Sequence, residues 1–463
     1  MGRDLEPEIA DMERQRAVQR SQQVAVPEPD LPGSIQWNHG TGSSRSRRQG
    51  DELRDYVTGS WHAMSMVKSR EPLFDVAHRH DKSVAGFQES TFAFLNRIAG
   101  DYWDHPRLLM QRWMDRINGD VSYNDLLQRL RSGDNEQFRS AYLELYLHES
   151  LLRAGYEIVV HPEVPGTTRQ PDFLAVRGDD RVYLEAVAPG STAMAKAAAS
   201  RRAVLFDTVN RLQDPNFILW LDHLVDGPRP PKAARLRAEL RQWLRRLDPD
   251  APWTADAVPR YDWQADGWEA GLKVMPKKLE ARGLGPDSQA IGIYGHTGVN
   301  VVDDAPAIHK ALAAKHHEYG DLDAPFVIAI GTYMMDRDRW HASNAMYGHV
   351  AFEFDPNSDG YAPAREVRQL DGYFGTPPEW QNRNVSGVLL VNQLMPYYFQ
   401  RAEVTLWRHP SPIHALPDEL GLPAHVIAFD RGELSVAPFD PPAAEFFGLT
   451  DPWPPGEAWA NGG

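Results

Sequence analysis

The chain has 463 residues, a formal net charge of −15, 42% hydrophobic and 10% aromatic residues, and no cysteine. Such a length exceeds one ordinary core and predicts two or three domains, with apolar content enough to fold most of the chain. The lack of cysteine excludes disulfides, thiolate metal sites and cysteine nucleophiles, so any metal must sit on oxygen or imidazole ligands, while the acidic balance argues against a broad nonspecific grip on nucleic acid and leaves room for a local basic cleft.

The first residues, MGRDLEPEIADMERQR, are charged and lack an apolar h-region, and position six is Glu6, which does not suit acylation at Gly2. No apolar run approaches the roughly 20 residues that cross a bilayer. The expectation is a cytoplasmic protein with no membrane partner. Residues 1–50 combine charge with PEPDLPG and GTGSSRSRRQG, too little apolar content to pack, and are expected to be disordered. Residues 51–136 carry helical apolar spacing in GFQESTFAFLNRIAGDYW and DHPRLLMQRWMDRINGD and read as a helical lead-in.

Residues 137–226 are the most legible. NEQFRSAYLELYLHESLLRAGY predicts an amphipathic helix that stops near Gly155. EIVVHPEV reads as a strand, PDFLAVR as a second and RVYLEAVAP as a third, with GDD a tight turn between the last two. An Ala-rich helix, STAMAKAAASRRAVLFDTVNRL, and a fourth strand, FILWLDHL, complete the order α-β-β-β-α-β. PRPPK marks a linker, and residues 233–450 predict a C-terminal mixed α/β region of unassigned role. It opens on the basic helix ARLRAELRQWLRRLD, contains the helix APAIHKALAAKHHEYG, and has strands at GLKVMP, AIGIYG, PFVIAIGTYM, HVAFEF, VSGVLLV and AEVTLWR. The tail DPWPPGEAWANGG reads as loose.

The placement of acids narrows the chemistry. Asp172 follows Pro171 at the start of the second strand, and Glu185 lies across the hairpin in the third, where antiparallel pairing brings such positions side by side. Two carboxylates among Phe, Leu, Val and Tyr are costly unless they share a cation. Glu144 and His148, four apart, share a face of the first helix, so Glu144 is a candidate third ligand. Each has a plainer reading: Pro-Asp suits a turn, Glu185 an exposed strand face, Glu144 a solvent-facing acid, His148 a packed histidine.

These residues resemble the PD-(D/E)XK nuclease superfamily, over about 90 residues. Pro171-Asp172 match the first part of its pattern, Glu185 the second acid, and the helix with Glu144 is similar to the family's leading helix. The resemblance implies a restriction-endonuclease-like αβββαβ core, Mg2+ or Mn2+ on Asp172, Glu185 and Glu144, and phosphodiester hydrolysis in DNA or RNA. It departs at the lysine position, which is Val187. Either another cation has taken over, with Lys196 and Arg201 of the Ala-rich helix the candidates, or the domain no longer cuts. In that helix Arg201, Leu205, Thr208 and Leu212 form one stripe, with Lys196 at its edge. Arg201, always charged, suits a transition state and makes a poor base; it also suits a surface arginine.

The alternative is a catalytically inactive nuclease-fold protein that binds nucleic acid or protein, with a protein partner or a homo-oligomer open; a sugar or nucleotide hydrolase on a similar sheet is a weaker third reading. Other candidates carry less. His316 and His317 are adjacent, which suits no shared helical metal face, and His309 and His316 are seven apart with no paired acid motif; GIYGHTG lacks a nucleotide loop's spacing, and Ser386 in NVSGV lacks the nucleophile elbow. Basic residues gather at Arg45, Arg47 and Arg48, and at Arg235, Arg237, Arg241, Arg245 and Arg246, as a solvated face or a nucleic-acid cleft.

Overall fold

The computed structural model describes residues 70–459, apart from 213, 253, 255–257, 284–290, 295–303, 335–338, 354–364, 377–378, 399–400 and 431–432. The expectation of disorder over 1–50, the basic residues Arg45, Arg47 and Arg48, most of GIYGHTG and the last residues of the tail lie outside them.

The described residues open on three helices: α1 (Thr91–Arg97), capped by the Ser90 side chain, α2 (Asp101–Asp115) and α3 (Asp120–Arg131). Helix α4 (Asn135–Arg153) follows, and Asp134 caps it by accepting from the Glu136 and Gln137 amides. That cap satisfies two of the donors a helix start leaves open. Strands β1 (Glu157–Val160), β2 (Phe173–Arg177) and β3 (Asp180–Val187) form an antiparallel run. The β2–β3 turn puts Gly178 at φ 60° in its first position, the conformation of a type II′ hairpin, which a side chain would oppose.

Past β3 the chain leaves this sheet. Helix α5 (Ala193–Asn210), β4 (Phe217–Val225), α6 (Ala233–Leu244), β5 (Arg260–Ala265), β6 (Trp268–Pro276) and β7 (Ile291–Tyr294) build a second layer pair. Its four-stranded sheet has the order β5-β6-β4-β7. Leu205, Val209, Leu236, Leu240 and Leu244 of the two helices bury against Phe217, Leu219, Leu221, Leu272 and Val274 of the strands. The segment FILWLDHL is therefore a strand, but it pairs with β6 and β7 and is not the fourth strand beside β3.

The neighbour of β3 is β8 (Phe326–Thr332), which runs parallel to it and follows helix α7 (Ala305–Lys315). Then come α8 (Trp340–Tyr347), the small pairs β9 (Val350–Glu353) with β10 (Arg365–Arg368) and β11 (Gly375–Thr376) with β12 (Glu379–Trp380), strands β13 (Gly387–Asn392), β14 (Glu403–Arg408), β15 (His425–Asp430) and β16 (Glu433–Ala437), and the short α9 (Ala443–Phe446). One mixed eight-stranded sheet results, ordered β1-β2-β3-β8-β13-β14-β15-β16. Strands from the C-terminal region thus continue the sheet begun by β1–β3.

Both faces of the middle strands are covered, and the period-two alternation of a strand decides which residue goes where. Val327 and Ala329 of β8 turn to α4, with Leu184 and Ala186 of β3 and Phe138, Ala141, Tyr142 and Leu145 of the helix. Phe326, Ile328 and Ile330 turn to the opposite side, with Tyr183 and with Ile308 and Leu312 of α7. Val187 packs on this second cluster, the same face as Tyr183. Among the described residues no helix is long and apolar enough to cross a membrane.

Candidate functional site

The hairpin brings the two sequence-matched acids together. Phe173 pairs with Leu184, so Asp172 lies one step beyond the ladder, opposite Glu185. The Asp172 amide donates to Glu185 Oε2 at 3.2 Å, and the Ala186 amide donates to Asp172 Oδ2 at 2.7 Å. Glu185 is 4% exposed, in a strand whose middle is buried on both faces. Burial, then the charges of Glu144 and Glu185, push the Asp172 carboxyl well above its ordinary value, against the pull of the Ala186 amide and Lys315.

Lys315 is the site residue that sequence reasoning missed. It stands in the last turn of α7, and its ammonium lies 2.6 Å from Glu185 Oε1 and 3.1 Å from Glu318 Oε2. Alternation explains the meeting: Glu185 shares the Tyr183 and Val187 face of β3, and α7 covers that face. Burial lowers the Lys315 affinity for protons, but the Glu185 and Glu318 carboxylates outweigh it and hold the ammonium above its ordinary value. Tyr319, four residues beyond Lys315, lies beside Glu185; burial first, and that carboxylate second, raise the phenol. The usable signal was in the sequence: a lysine at the end of a helix that leads into an unbroken apolar strand, PFVIAIGTYM.

Glu144 sits on α4, 7% exposed, and both of its oxygens accept from the Arg129 guanidinium of α3 in a bidentate pair. Arg129 also holds Asp125 at 2.9 Å. A small cavity of about 10 Å³ lies beside Arg129, Glu144, His161 and Asp172. His148, one turn on, is 1% exposed, and burial lowers its imidazole to about 4, Arg116 adding to the effect. It is a packed histidine behind the site, 6.0 Å from the Phe173 ring.

The two cations proposed from the Ala-rich helix are engaged elsewhere. Lys196 pairs with Glu136 at 2.6 Å and Asp134 at 3.7 Å, at the start of α4. Arg201 Nε donates to the Gly227 carbonyl at 3.0 Å. The physical reason is topological: α5 belongs to the small sheet's layer, so its stripe of Leu205 and Val209 faces β4 and α6 instead of β3.

The donor chemistry suits a hard divalent ion: carboxylate oxygens, no sulfur, and crowded acids whose repulsion a cation relieves. Among the described residues no three of His, Asp and Glu gather closely enough to hold an ion by themselves. Comparison with family models, with curated proteins and with solved structures finds no match.

Proposed function

We propose that this chain is a divergent PD-(D/E)XK nuclease that hydrolyses phosphodiester bonds in DNA or RNA, with Asp172 and Glu185 as its metal pair and Lys315 in the role of the missing strand lysine. The observation that carries the reading is the Lys315 ammonium, 2.6 Å from Glu185 Oε1, on the helix that leads into the strand parallel to β3. Element order supports it. Helix α4, the antiparallel β1–β2–β3, helix α7 and the parallel β8 give α-β-β-β-α-β once residues 188–304 are read as an excursion into the second sheet.

Magnesium or manganese on this pair would neutralise charge on the scissile phosphate and acidify a bound water. A magnesium ion keeps several waters and needs only one or two protein carboxylates plus substrate phosphate, which a two-acid site supplies. Lys315 meets one oxygen of Glu185 and the Asp172 amide the other, which fixes the carboxylate and leaves acceptor positions for an ion. Lys315, charged and held, orients the attacking water and offsets negative charge as it develops at phosphorus. Glu144 then acts through Arg129 and the local field, as a third acid whose charge raises Asp172.

The basic helix α6 supports a nucleic-acid substrate. Glu239 takes Arg235, whereas Arg237, Arg241 and Arg245 follow at one-turn spacing with no carboxylate partner among the described residues. An inactive binding module is the second reading, favoured by the about 10 Å³ of space beside Asp172 and Glu144.

One assay separates the two. Purified chain is incubated with plasmid, single-stranded DNA and RNA, with magnesium, manganese, calcium or excess chelator, beside Asp172→Asn and Glu185→Gln. Cleavage that needs magnesium or manganese and is lost in both variants is the expected result. Cleavage that persists in chelator rejects the mechanism, and binding without cleavage under every condition favours the module.

A further inference from the structure

A cavity of about 270 Å³ opens next to the carboxylate–lysine site, on the α7 side of the large sheet. Tyr319 joins the two: it follows Lys315 by four residues, beside Glu185, and also lines the cavity. His316, the next residue after Lys315, lines it as well. We infer that this cavity takes a nucleobase, so that a nucleotide seated there holds its phosphodiester link towards Lys315, Asp172 and Glu185. This rests on the nuclease reading.

The lining selects the ligand class. Tyr319, Phe326, Leu322 and Ile413 supply flat or apolar walls, and Ile413 stands 61% exposed. Such a slot rewards a planar ring that leaves water. Its volume is near the lower limit of small-molecule pockets, about 300 Å³, which suits one ring system. The wall holds the carboxylate of Asp321 and no lysine or arginine, so the anionic part of a nucleotide is kept outside. Burial, then the neighbouring His317 and His309, hold the His316 imidazole below its ordinary value, so it adds no charge at neutral pH.

Asn384 gives the slot a polar edge. Its Nδ2 donates to the His316 carbonyl, which pins the amide, and among the described residues its Oδ1 has no bonded partner. An acceptor there pairs with an exocyclic amino group, as on adenine or cytosine, and finds no donor in that position on uracil.

The test measures binding of AMP, CMP, UMP and ribose 5-phosphate to the full chain by calorimetry, in excess chelator so that no turnover intervenes. The expected result is saturable AMP and CMP binding, about fivefold tighter than UMP, a ratio typical of one hydrogen bond, and no binding of ribose 5-phosphate. Leu322→Trp, which fills the cavity, is expected to weaken AMP at least about tenfold while a thermal melt stays cooperative, the loss of a stacked ring being worth that much. Should Leu322→Trp not fold, Asn384→Ala serves instead, with the AMP-over-UMP preference expected to vanish. No nucleotide binding at millimolar concentration, or ribose 5-phosphate binding as well as AMP, overturns the inference whether or not the chain cleaves. Nucleotide binding that Leu322→Trp removes, in a chain that never cleaves, supports the cavity and sinks the nuclease reading alone.

Discussion

Moving the lysine tests the proposed site most directly. Lys315→Met keeps most of the side-chain stem and removes the charge. In the structure the pair is tight, 2.6 Å, with Glu185 5% and Lys315 25% exposed. Two charges about 4 Å apart at an effective dielectric near 20 attract by about 4 kcal/mol before desolvation is counted. Glu185 keeps the Asp172 amide, so it is not left without a donor. The net loss is then about 1.5–3 kcal/mol, the range of a hydrogen bond to a charged group. Cleavage is expected to fall about 10²–10⁴-fold, the usual contribution of a positioned proton-handling group. Val187 shares the Glu185 face, so Lys315→Met combined with Val187→Lys returns an ammonium to that side of the strand. The double variant loses the partial burial of Val187, about 1 kcal/mol or somewhat more, and is expected to recover at least about tenfold of the lost rate, since a cation at the strand position meets the same carboxylate. Plasmid nicking in magnesium, with a urea melt of each variant, reads both numbers. Wild-type cleavage by folded Lys315→Met would refute the assignment.

Three further outcomes follow from the same geometry. The Asp172 carboxyl is raised in the folded chain, so the native state binds more protons than the unfolded one above the ordinary aspartate value; stability is full below about 3.8 and declines as pH rises through the folded value. Asp172→Asn is therefore expected to hold or raise the melting temperature at pH 7, to flatten its decline above about 3.8, and to abolish any stabilisation of the wild type by millimolar magnesium; a clear fall at pH 7 would count against it. Arg129→Met strands a buried Glu144 carboxylate and is expected to cost about 3 kcal/mol in a urea melt, whereas Arg129→Met with Glu144→Leu recovers most of it. Changing Arg237, Arg241 and Arg245 to Gln is expected to lower the log–log salt slope of DNA binding by about 3, one per phosphate contact, measured by anisotropy in chelator; an unchanged slope removes α6 from the interface.

Much of the first half of the described fold was legible locally. Asp134 ahead of an amphipathic run starts α4, and Gly178 between two apolar runs makes the β2–β3 hairpin. The hairpin's short turn fixes its register, and register alone puts Asp172 against Glu185, which is why that pair could be read from residue order. The C-terminal strands β6, β8, β13 and β14 and helix α7 were readable for the same reason, as apolar runs of the right length. Strands β5, β10, β11, β12, β15 and β16 and helix α8 were missed; these strands are six residues or fewer, and β16 is mostly exposed.

Partnership between distant elements was decided only by the tertiary structure. FILWLDHL has the pattern of a core strand, and nothing in that pattern says which sheet it joins; β4 found β6 and β7. The Ala-rich helix followed it, taking Lys196 and Arg201 away from the acids. The cation that meets Glu185 waits until residue 315, beyond an excursion of the chain through a second core. Local sequence carries periodicity, caps and turns, because these depend on neighbours a few residues away. A charge pair across two faces of packed elements depends on which surfaces bury each other, and that is settled by the summed packing of the whole chain.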